Sequence, residues 1–324
     1  MFDNIRLILD LNDVFSYDQK YQWKSEIMKK CKDVSGNPEN FISGHIKNIK
    51  LSTPGNKLVI FGSIAKFLYG ENCTPLKRVD VEKAILKLKE KFEIDLSKSK
   101  LTYVEFGPSI IVNENPGKYL NLFGWPPGLK KYIVSSHTKE ISTVTYESET
   151  GYQEFILYNK LKEMEDKGLR SKKNEIKIPK DYIGKNVIRI EYKIKTSSGI
   201  LDRFGRVLTA HDLYNESIYN VFQKMFLDFY NSIEKNGRTI YINNSKTPKQ
   251  FVENFYERQR HLHPDEFNEY NQEVIESGIM KSKDLSFIRS KDRKRSQDIQ
   301  ISNTAPLIVE LDMKINKAIA INND

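Results

Sequence analysis

The sequence predicts an α+β protein with a helical C-terminal part. Two observations predict this class: apolar segments of strand length recur through the first two hundred residues, and the apolar residues after residue 209 recur at helical spacing. A chain of 324 residues with 39% hydrophobic side chains can also bury a core, as one large domain or two moderate ones. The polar segment NGRTIYINNSKTP predicts a boundary at residue 240, between regions 1–240 and 241–324.

Strands are predicted wherever short apolar runs alternate with polar residues or end at turn residues. In chain order they are Asn4–Leu11, Lys57–Gly62, Lys100–Glu105, Ser109–Val112, a hairpin of Tyr132–Ser135 with Thr143–Glu147, Gln153–Tyr158 and Val187–Lys195. The short apolar element Lys118–Leu122 precedes a WPPG turn at Trp125–Gly128.

Helices are predicted once inside the strand-rich region and repeatedly after it. Val79–Phe92 has its apolar residues on one helical face. A start resembling a capping box at Thr209–Asp212 precedes an apolar stripe that ends near Gly237. From Thr247 onward the spacing is again helical. The last eighty residues show no convincing strand, although Leu307–Leu311 fits a strand or a helix equally well.

The charge balance favours an anionic partner. Lys and Arg number 52 against 43 Asp and Glu, a net charge of +9, which suits nucleic acid or an anionic membrane surface. Charged residues interrupt the N-terminal segment, so we do not expect a signal peptide, and no apolar run approaches the roughly 20 residues of a membrane-spanning helix. Two cysteines, Cys31 and Cys73, form no zinc pattern and require no disulfide. We therefore expect a cytoplasmic protein without a membrane partner.

Tyr158 is a candidate nucleophile. It ends an apolar strand and is followed by Lys160 and Lys162. A phenol can attack phosphorus, and ammonium groups can hold phosphate oxygens. Because the ordinary pKa of a phenol is about 10, attack near neutral pH needs a polarised phosphate and nearby cations. A tyrosine at a strand end more often serves packing, and that alternative stays open.

Two carboxylates are candidate metal ligands. Glu191 alternates with Arg189 and Lys193 on one face of its strand, and Glu105 occupies a similar place in the segment LTYVE. Carboxylates from neighbouring strands would offer Mg²⁺ or Mn²⁺ the hard oxygen ligands they prefer. A cross-strand ion pair is the open alternative for Glu191, and an exposed lone carboxylate is the alternative for Glu105.

His261 and His263 are poor metal candidates. They follow a segment with helical spacing, and side chains two residues apart on a helix point about 200° apart. Two lysine-rich segments, 160–195 and 281–295, fit either a DNA-contacting surface or ordinary solvated surface.

Five blocks, in this order along the chain, resemble one known family. They are LVIFGSIAKFLYGEN at 58–72, VDVEKAILKLKEKFEIDLSKSKLTYVEFG at 79–107, FILYNKLKEM at 155–164, VIRIEYKIK at 187–195 and FVENFY at 251–256. The chain resembles the rolling-circle replication initiators of phages and plasmids, specifically the filamentous-phage replication-protein group with many members in Bacteroidetes elements. The resemblance implies a mainly antiparallel central sheet flanked by helices in a catalytic and DNA-binding domain, 1–240, before a helical region, 241–324.

The resemblance also assigns roles to residues at matching positions. Tyr158 matches the nucleophilic tyrosine, Lys160 and Arg189 would stabilise charge on the phosphate, and Glu105 and Glu191 would hold Mg²⁺ or Mn²⁺. The lysine-rich segment 160–195, and not the resemblance, supplies the predicted DNA-contacting lysines: Lys162, Lys172, Lys173, Lys193 and Lys195. The sequence departs from the family where Glu105 replaces the usual aspartate and Tyr103 replaces the usual arginine.

The implied activity is nicking of single-stranded or hairpin origin DNA. A 5′-phosphotyrosyl intermediate would form and a 3′-hydroxyl primer would be released, with a host helicase as a further partner. The alternative is a non-catalytic DNA-binding regulator derived from the same fold, which the departures at Tyr103 and Glu105 favour. A protein that binds a membrane surface ranks last, because no terminal basic amphipathic helix is evident.

Overall fold

The computed structural model describes residues 2–74, 76–124, 129–135, 140–170, 178–233, 235, 239–241, 247, 269, 272–278, 300–302 and 306–321. The chain divides into two compact units, Met1–Glu234 together with Leu311–Asp324, and Lys235–Glu310. In the described part of the second unit, Thr239–Tyr241 pairs antiparallel with Gln300–Ser302. The expectation of no strand in this late region is wrong for Gln300–Ser302, because three residues are too few to show an alternating pattern.

Within the described residues, eleven strands form one antiparallel sheet in the first unit. They are β1 Phe2–Asp10, β2 Lys32–Gly36, β3 Ile42–Ile46, β4 Ile49–Ser52, β5 Lys57–Ser63, β6 Lys100–Phe106, β7 Ser109–Val112, β8 Leu129–Ser135, β9 Ile141–Ser148, β10 Gln153–Asn159 and β11 Asn186–Ile194. Their order is β2-β3-β4-β5-β1-β6-β11-β10-β9-β8, and β7 also pairs with β11. The predicted fold class, α+β with a mainly antiparallel sheet flanked by helices, is confirmed.

Helices connect and cover the strands. They are α1 Tyr17–Lys30, α2 Ile64–Tyr69, α3 Arg78–Phe92, α4 Pro116–Leu120, α5 Lys160–Arg170, α6 Ser197–Phe204, α7 Glu216–Ser232 and α8 Pro306–Ile321. The ambiguous segment Leu307–Leu311 is therefore helical. None of the helices in the described ranges has the length and apolarity needed to cross a bilayer.

Helix α7 starts later than its sequence predicts. The Asp212 carboxylate accepts hydrogen bonds from the backbone N–H and the hydroxyl of Thr209, at 2.7 and 3.0 Å, and so closes a short 3₁₀ turn, His211–Tyr214. Asn215 then caps α7 by accepting from the N–H of Ile218 at 3.3 Å. The signal that resembles a capping box belongs to the turn before the helix.

One face of the central strands packs against α7. The ring of Phe222 lies 5.0 Å from the rings of both Phe2 on β1 and Phe106 on β6, in edge-to-face contact. Further along α7, Phe226 lies 5.4 Å from Phe155 on β10. Because side chains alternate across a strand, packing on this face leaves the intervening residues of β6, β10 and β11 on the other face.

A β-bulge near the start of β1 changes which residues face the core. Phe2 is opposite Phe106 and Ile5 is opposite Val104, so β1 has one more residue in this interval than β6. Phe2 and Ile5 are both buried, although three positions separate them. The bulge therefore turns Asp3 toward the face opposite α7.

Candidate active site

Three carboxylates meet on the sheet face opposite α7. Asp3 on β1, Glu105 on β6 and Glu191 on β11 each offer an oxygen, and these oxygens lie within 4.8 Å of one another. The three strands are neighbours in the sheet. The residues are only 1%, 5% and 5% exposed, respectively. We call these three residues the acidic cluster.

Two cations from β11 contact the acidic cluster. The Arg189 guanidinium lies 3.5 Å from Asp3 Oδ2 and 3.4 Å from Glu191 Oε1. The Lys193 ammonium lies 3.4 Å from Glu191 Oε2 and 3.8 Å from Glu105 Oε2. When all three carboxylates are ionised, they outnumber these two cations by one.

Neutral donors orient the carboxylates. Asp3 accepts from the Ser63 hydroxyl and, at 2.8 Å, from the Asn72 amide. Glu105 accepts from the Asn4 amide and from the Tyr103 hydroxyl, both at 3.1 Å. These bonds hold the oxygens in place without neutralising their charge.

The protonation of the cluster follows from burial and the neighbouring charges. Burial, with the carboxylates of Glu191 and Asp3 nearby, raises the pKa of Glu105 to about 7. Burial also acts to raise the pKa of Glu191, but Arg189 and Lys193 outweigh it and lower that pKa. The cluster therefore holds an ionised Glu191 beside a Glu105 that readily takes up a proton or a cation.

Tyr158 meets the acidic cluster through Glu191. Its strand, β10, pairs with β11 so that Tyr158 lies opposite Arg189. The phenol donates a 2.7 Å hydrogen bond to Glu191 Oε1. Burial and the charge of Glu191 raise the pKa of the phenol, so its oxygen is protonated in the folded chain. The ionised Glu191 carboxylate accepts the hydrogen bond from that phenol.

Lys160 supports Tyr158 from the start of α5. Its side chain is buried, its ammonium lies 5.7 Å from the centre of the Tyr158 ring, and it pairs with Glu163 at 3.1 Å. This geometry is a cation–π contact that positions the ring. The structure thus brings Tyr158, Lys160 and Arg189 into one site.

The predicted DNA-contacting lysines fall into three groups. Lys193 and Lys195 are engaged in ion pairs on the sheet face, Lys195 at 3.0 Å from Glu147. Lys162 lies on α5 and is partly exposed. Lys172 and Lys173 lie outside the described residues, as do His261 and His263.

The acidic cluster fits a divalent cation. Carboxylate oxygens are the ligands that Mg²⁺ and Mn²⁺ prefer. With bonds of about 2.1 Å, opposite ligands of a magnesium ion lie about 4.2 Å apart. Adjacent ligands of such an octahedral ion lie about 3.0 Å apart. Because the three carboxylate oxygens all lie within 4.8 Å of one another, side-chain shifts on the order of 1 Å would let them contact one ion. Glu105 and Glu191, both predicted as ligands, lie on the same sheet face and on neighbouring strands.

Asp3 is the site residue that sequence reasoning missed. It was interpreted only as a charge that interrupts an apolar N-terminal strand. Counting by two from the buried Ile5 also places Asp3 toward the core, and the bulge in β1 reverses that assignment. The signal present in the sequence is an aspartate beside Phe2, at the start of a strand whose other residues include Ile5, Leu7 and Leu9.

Comparison with known proteins gives little beyond this geometry. No family model and no curated protein matches the chain. A solved rolling circle replication initiator protein from Geobacillus stearothermophilus is similar, with a TM-score of 0.37 and 8% identity over 76% of this chain and 89% of that chain. A likeness at this TM-score carries no functional argument, so the proposal below depends on the side chains of this chain.

Proposed function

We propose that the chain is a metal-dependent DNA nickase that initiates rolling-circle replication through Tyr158. The observation that carries the proposal is the 2.7 Å hydrogen bond from the phenol to Glu191. It joins a nucleophile to a proton acceptor that belongs to a cluster of three carboxylates. Together a tyrosine, clustered carboxylates and buried cations supply the nucleophile, the metal ligands and the positive charge that phosphodiester chemistry needs.

The proposed step is a transfer of the phosphodiester to tyrosine. The phenol oxygen of Tyr158 forms a bond to phosphorus while the bond from phosphorus to the 3′ oxygen breaks. The phenol proton passes to Glu191 Oε1 and then to the leaving oxygen, which departs as a 3′-hydroxyl. Mg²⁺ or Mn²⁺ held by Asp3, Glu105 and Glu191 would polarise the phosphate.

Two cations have supporting roles in this proposal. Arg189, whose guanidinium already lies beside Asp3 and Glu191, would attract the phosphate oxygens as negative charge builds on them. Lys160 fixes the Tyr158 ring through the cation–π contact. A host helicase and a cytoplasmic location belong to the same proposal. The helicase rests on the family resemblance alone, and the location rests on the cysteine content.

The test is a nicking assay with a nucleophile control. Supercoiled plasmid carrying the chain's own origin and labelled single-stranded oligonucleotides from that origin are incubated with Mg²⁺, Mn²⁺ or EDTA. We expect relaxation and a labelled covalent adduct only with metal. Tyr158→Phe should remove the adduct, whereas Tyr132→Phe, a change at an exposed tyrosine on β8, should keep it. A 5′ adduct formed by Tyr158→Phe would show that another residue is the nucleophile.

A non-catalytic DNA-binding regulator is the second candidate. Tyr103 favours it, because its hydroxyl donates to Glu105 where the family usually has an arginine. Burial of the Tyr158 phenol also raises the pKa that ionisation must overcome. Such a regulator would retard origin DNA on a gel with either Mg²⁺ or Mn²⁺ present, and it would not relax the supercoiled plasmid with either metal.

A further inference from the structure

A small pocket beside α1 contains two buried lysines without a counter-charge. Lys20 and Lys24 are 8% and 4% exposed. Lys20 donates to the side-chain oxygens of Asn12 and Asn56, and Lys24 donates to the backbone carbonyl of Asn40 at 3.1 Å. Among the described residues, no ion pair joins either ammonium to a carboxylate. The protein groups that accept hydrogen bonds from the two ammonium groups are therefore all neutral oxygens of asparagine residues.

An uncompensated pair of buried cations costs stability unless a ligand neutralises it. The two ammonium groups repel each other, and burial together with the charge of Lys20 lowers the pKa of Lys24. Glu39 is the carboxylate that lines the pocket, and it is exposed at the rim. The pocket therefore offers a net positive charge to an incoming anion.

Two exposed tyrosines flank these lysines on the same helix face. Each lysine comes three residues after a tyrosine, and the two tyrosines, like the two lysines, are four residues apart, so the four side chains lie on one face of α1. Tyr17 is 79% exposed and Tyr21 is 47% exposed. Aromatic rings next to cationic groups are the arrangement with which proteins hold unpaired nucleotides, by stacking bases and contacting phosphates.

The pocket is preformed and of limited size. Its walls are α1, the turn after β2 and the turn before β5, where Pro38, Asn40, Gly55 and Asn56 line it. The buried side chain of Trp23 anchors α1 by donating to the carbonyl of Phe92 at 2.8 Å. A volume of about 220 Å³ is below the roughly 300 Å³ of small-molecule pockets. A pocket of this size suits a phosphate group, with the neighbouring base lying outside the pocket.

We infer that this pocket binds a phosphodiester of single-stranded nucleic acid, with Lys20 and Lys24 on the phosphate and Tyr17 or Tyr21 stacked on an adjacent base. The start of α1 adds the partial positive charge of a helix N-terminus. The site shares no residue with the acidic cluster or with Tyr158. It goes beyond the proposed nicking activity and does not require that activity.

The binding test uses the full chain in EDTA with fluorescent dT10 as the probe. Lys20→Gln and Lys24→Met are compared with Lys29→Met, which removes the same charge about 180° from Lys20 on the same helix. Lys29 is exposed and pairs with Glu26. We expect each pocket variant to weaken binding about tenfold and to reduce the salt dependence of the logarithm of affinity by about 0.7, the contribution of one phosphate contact. Equal effects of Lys24→Met and Lys29→Met would overturn the inference.

Stacking is tested separately from phosphate contact. The double variant Tyr17→Ser/Tyr21→Ser should bind dT10 about tenfold more weakly than the wild type, or weaker still. The double variant Tyr17→Phe/Tyr21→Phe should bind dT10 as the wild type does. For an abasic ten-mer with the same number of phosphates, the wild type and the double serine variant should have the same affinity. Photocrosslinking of a dT10 that carries 5-iodouracil should label Tyr17 or Tyr21 in peptide mapping. Crosslinks at other residues, with neither Tyr17 nor Tyr21 labelled, would contradict the assignment of these tyrosines as stacking residues.

Stability measurements distinguish a binding role from a structural one. Because the Lys24 ammonium has no counter-charge, Lys24→Met should keep or raise the melting temperature while binding falls. A variant that loses both stability and binding would mean that Lys24 serves the fold. The nucleic-acid assignment would also be refuted if the wild type bound anionic vesicles and not dT10, and if Lys24→Met lost that vesicle binding.

Discussion

Glu105→Gln should stabilise the metal-free protein at alkaline pH. In the folded chain, burial and the charges of Glu191 and Asp3 raise the pKa of Glu105 from 4.5 to about 7. A raised carboxyl pKa means that the folded state favours the protonated form, so this contribution to stability is complete below pH 4.5 and is lost as the pH rises through 7. Glutamine has nearly the shape of the protonated acid and cannot ionise.

The magnitude follows from the size of the shift. At about 1.4 kcal/mol per pKa unit, ionised Glu105 lowers the free energy of unfolding by on the order of 3 kcal/mol. For a chain of this size that corresponds to roughly 5 °C in melting temperature. Lys193 keeps Glu191 and Glu154 as partners in the variant, so the substitution leaves no buried unpaired charge.

The assay is thermal unfolding in EDTA from pH 5 to pH 9. We expect the wild type to lose stability relative to Glu105→Gln across this range, and Glu90→Gln, a change at an exposed carboxylate, to follow the wild type. Added Mn²⁺ should stabilise the wild type more strongly as the pH rises through 7, because the metal ion then takes the place of the proton on Glu105. The same ion should stabilise Glu105→Gln less than the wild type. Parallel pH profiles for the wild type and Glu105→Gln would refute the assigned electrostatics of the cluster.

Three further substitutions probe the same region. Arg189→Met should cost about 3–5 kcal/mol in urea unfolding, because buried Asp3 loses its cation and Glu191 keeps only Lys193; a loss below about 1 kcal/mol would contradict the ion pairs. Gly107→Ala should prevent folding or destabilise the chain severely, since φ is +152° and a Cβ atom would lie 2.0 Å from the Ile190 carbonyl oxygen; a normal circular dichroism spectrum and melting temperature would disprove this contact. Phe222→Ala should cost about 3–5 kcal/mol, and a smaller loss in urea unfolding would mean that α7 is not essential to the core.

The sequence predicted the parts of the fold where the alternation of side chains is uninterrupted. Strand β11 is the clearest case, because Arg189, Glu191 and Lys193 alternate with isoleucines and a tyrosine, and the structure places the two sets on opposite faces. The position of Glu105 relative to Glu191 needed the structure, since strand pairing joins residues far apart in sequence.

Other elements carry too weak a local pattern to be predicted. Strand β2 is exposed at every residue and has no alternation, so its sequence resembles a loop. Helix α1 was missed because lysines occupy positions beside its apolar residues Trp23 and Ile27, and the apolar stripe is short. Asp3 was missed for a third reason, since a bulge changes the phase of a strand without any signature in residue type.

The order of the strands in the sheet also determines when the acidic cluster can assemble. Five strands that are adjacent in the sheet, β2, β3, β4, β5 and β1, all lie between Phe2 and Ser63, so they can pair before β6 and β11 have been synthesised. The remaining edge of β1 can pair only after β6 has been synthesised, and the other edge of β6 can pair only after β11 has been synthesised. Closing these long loops is the slow part of folding an antiparallel sheet. Asp3 is therefore synthesised well before Glu191, and the two meet only when β11, the last of these central strands, has docked.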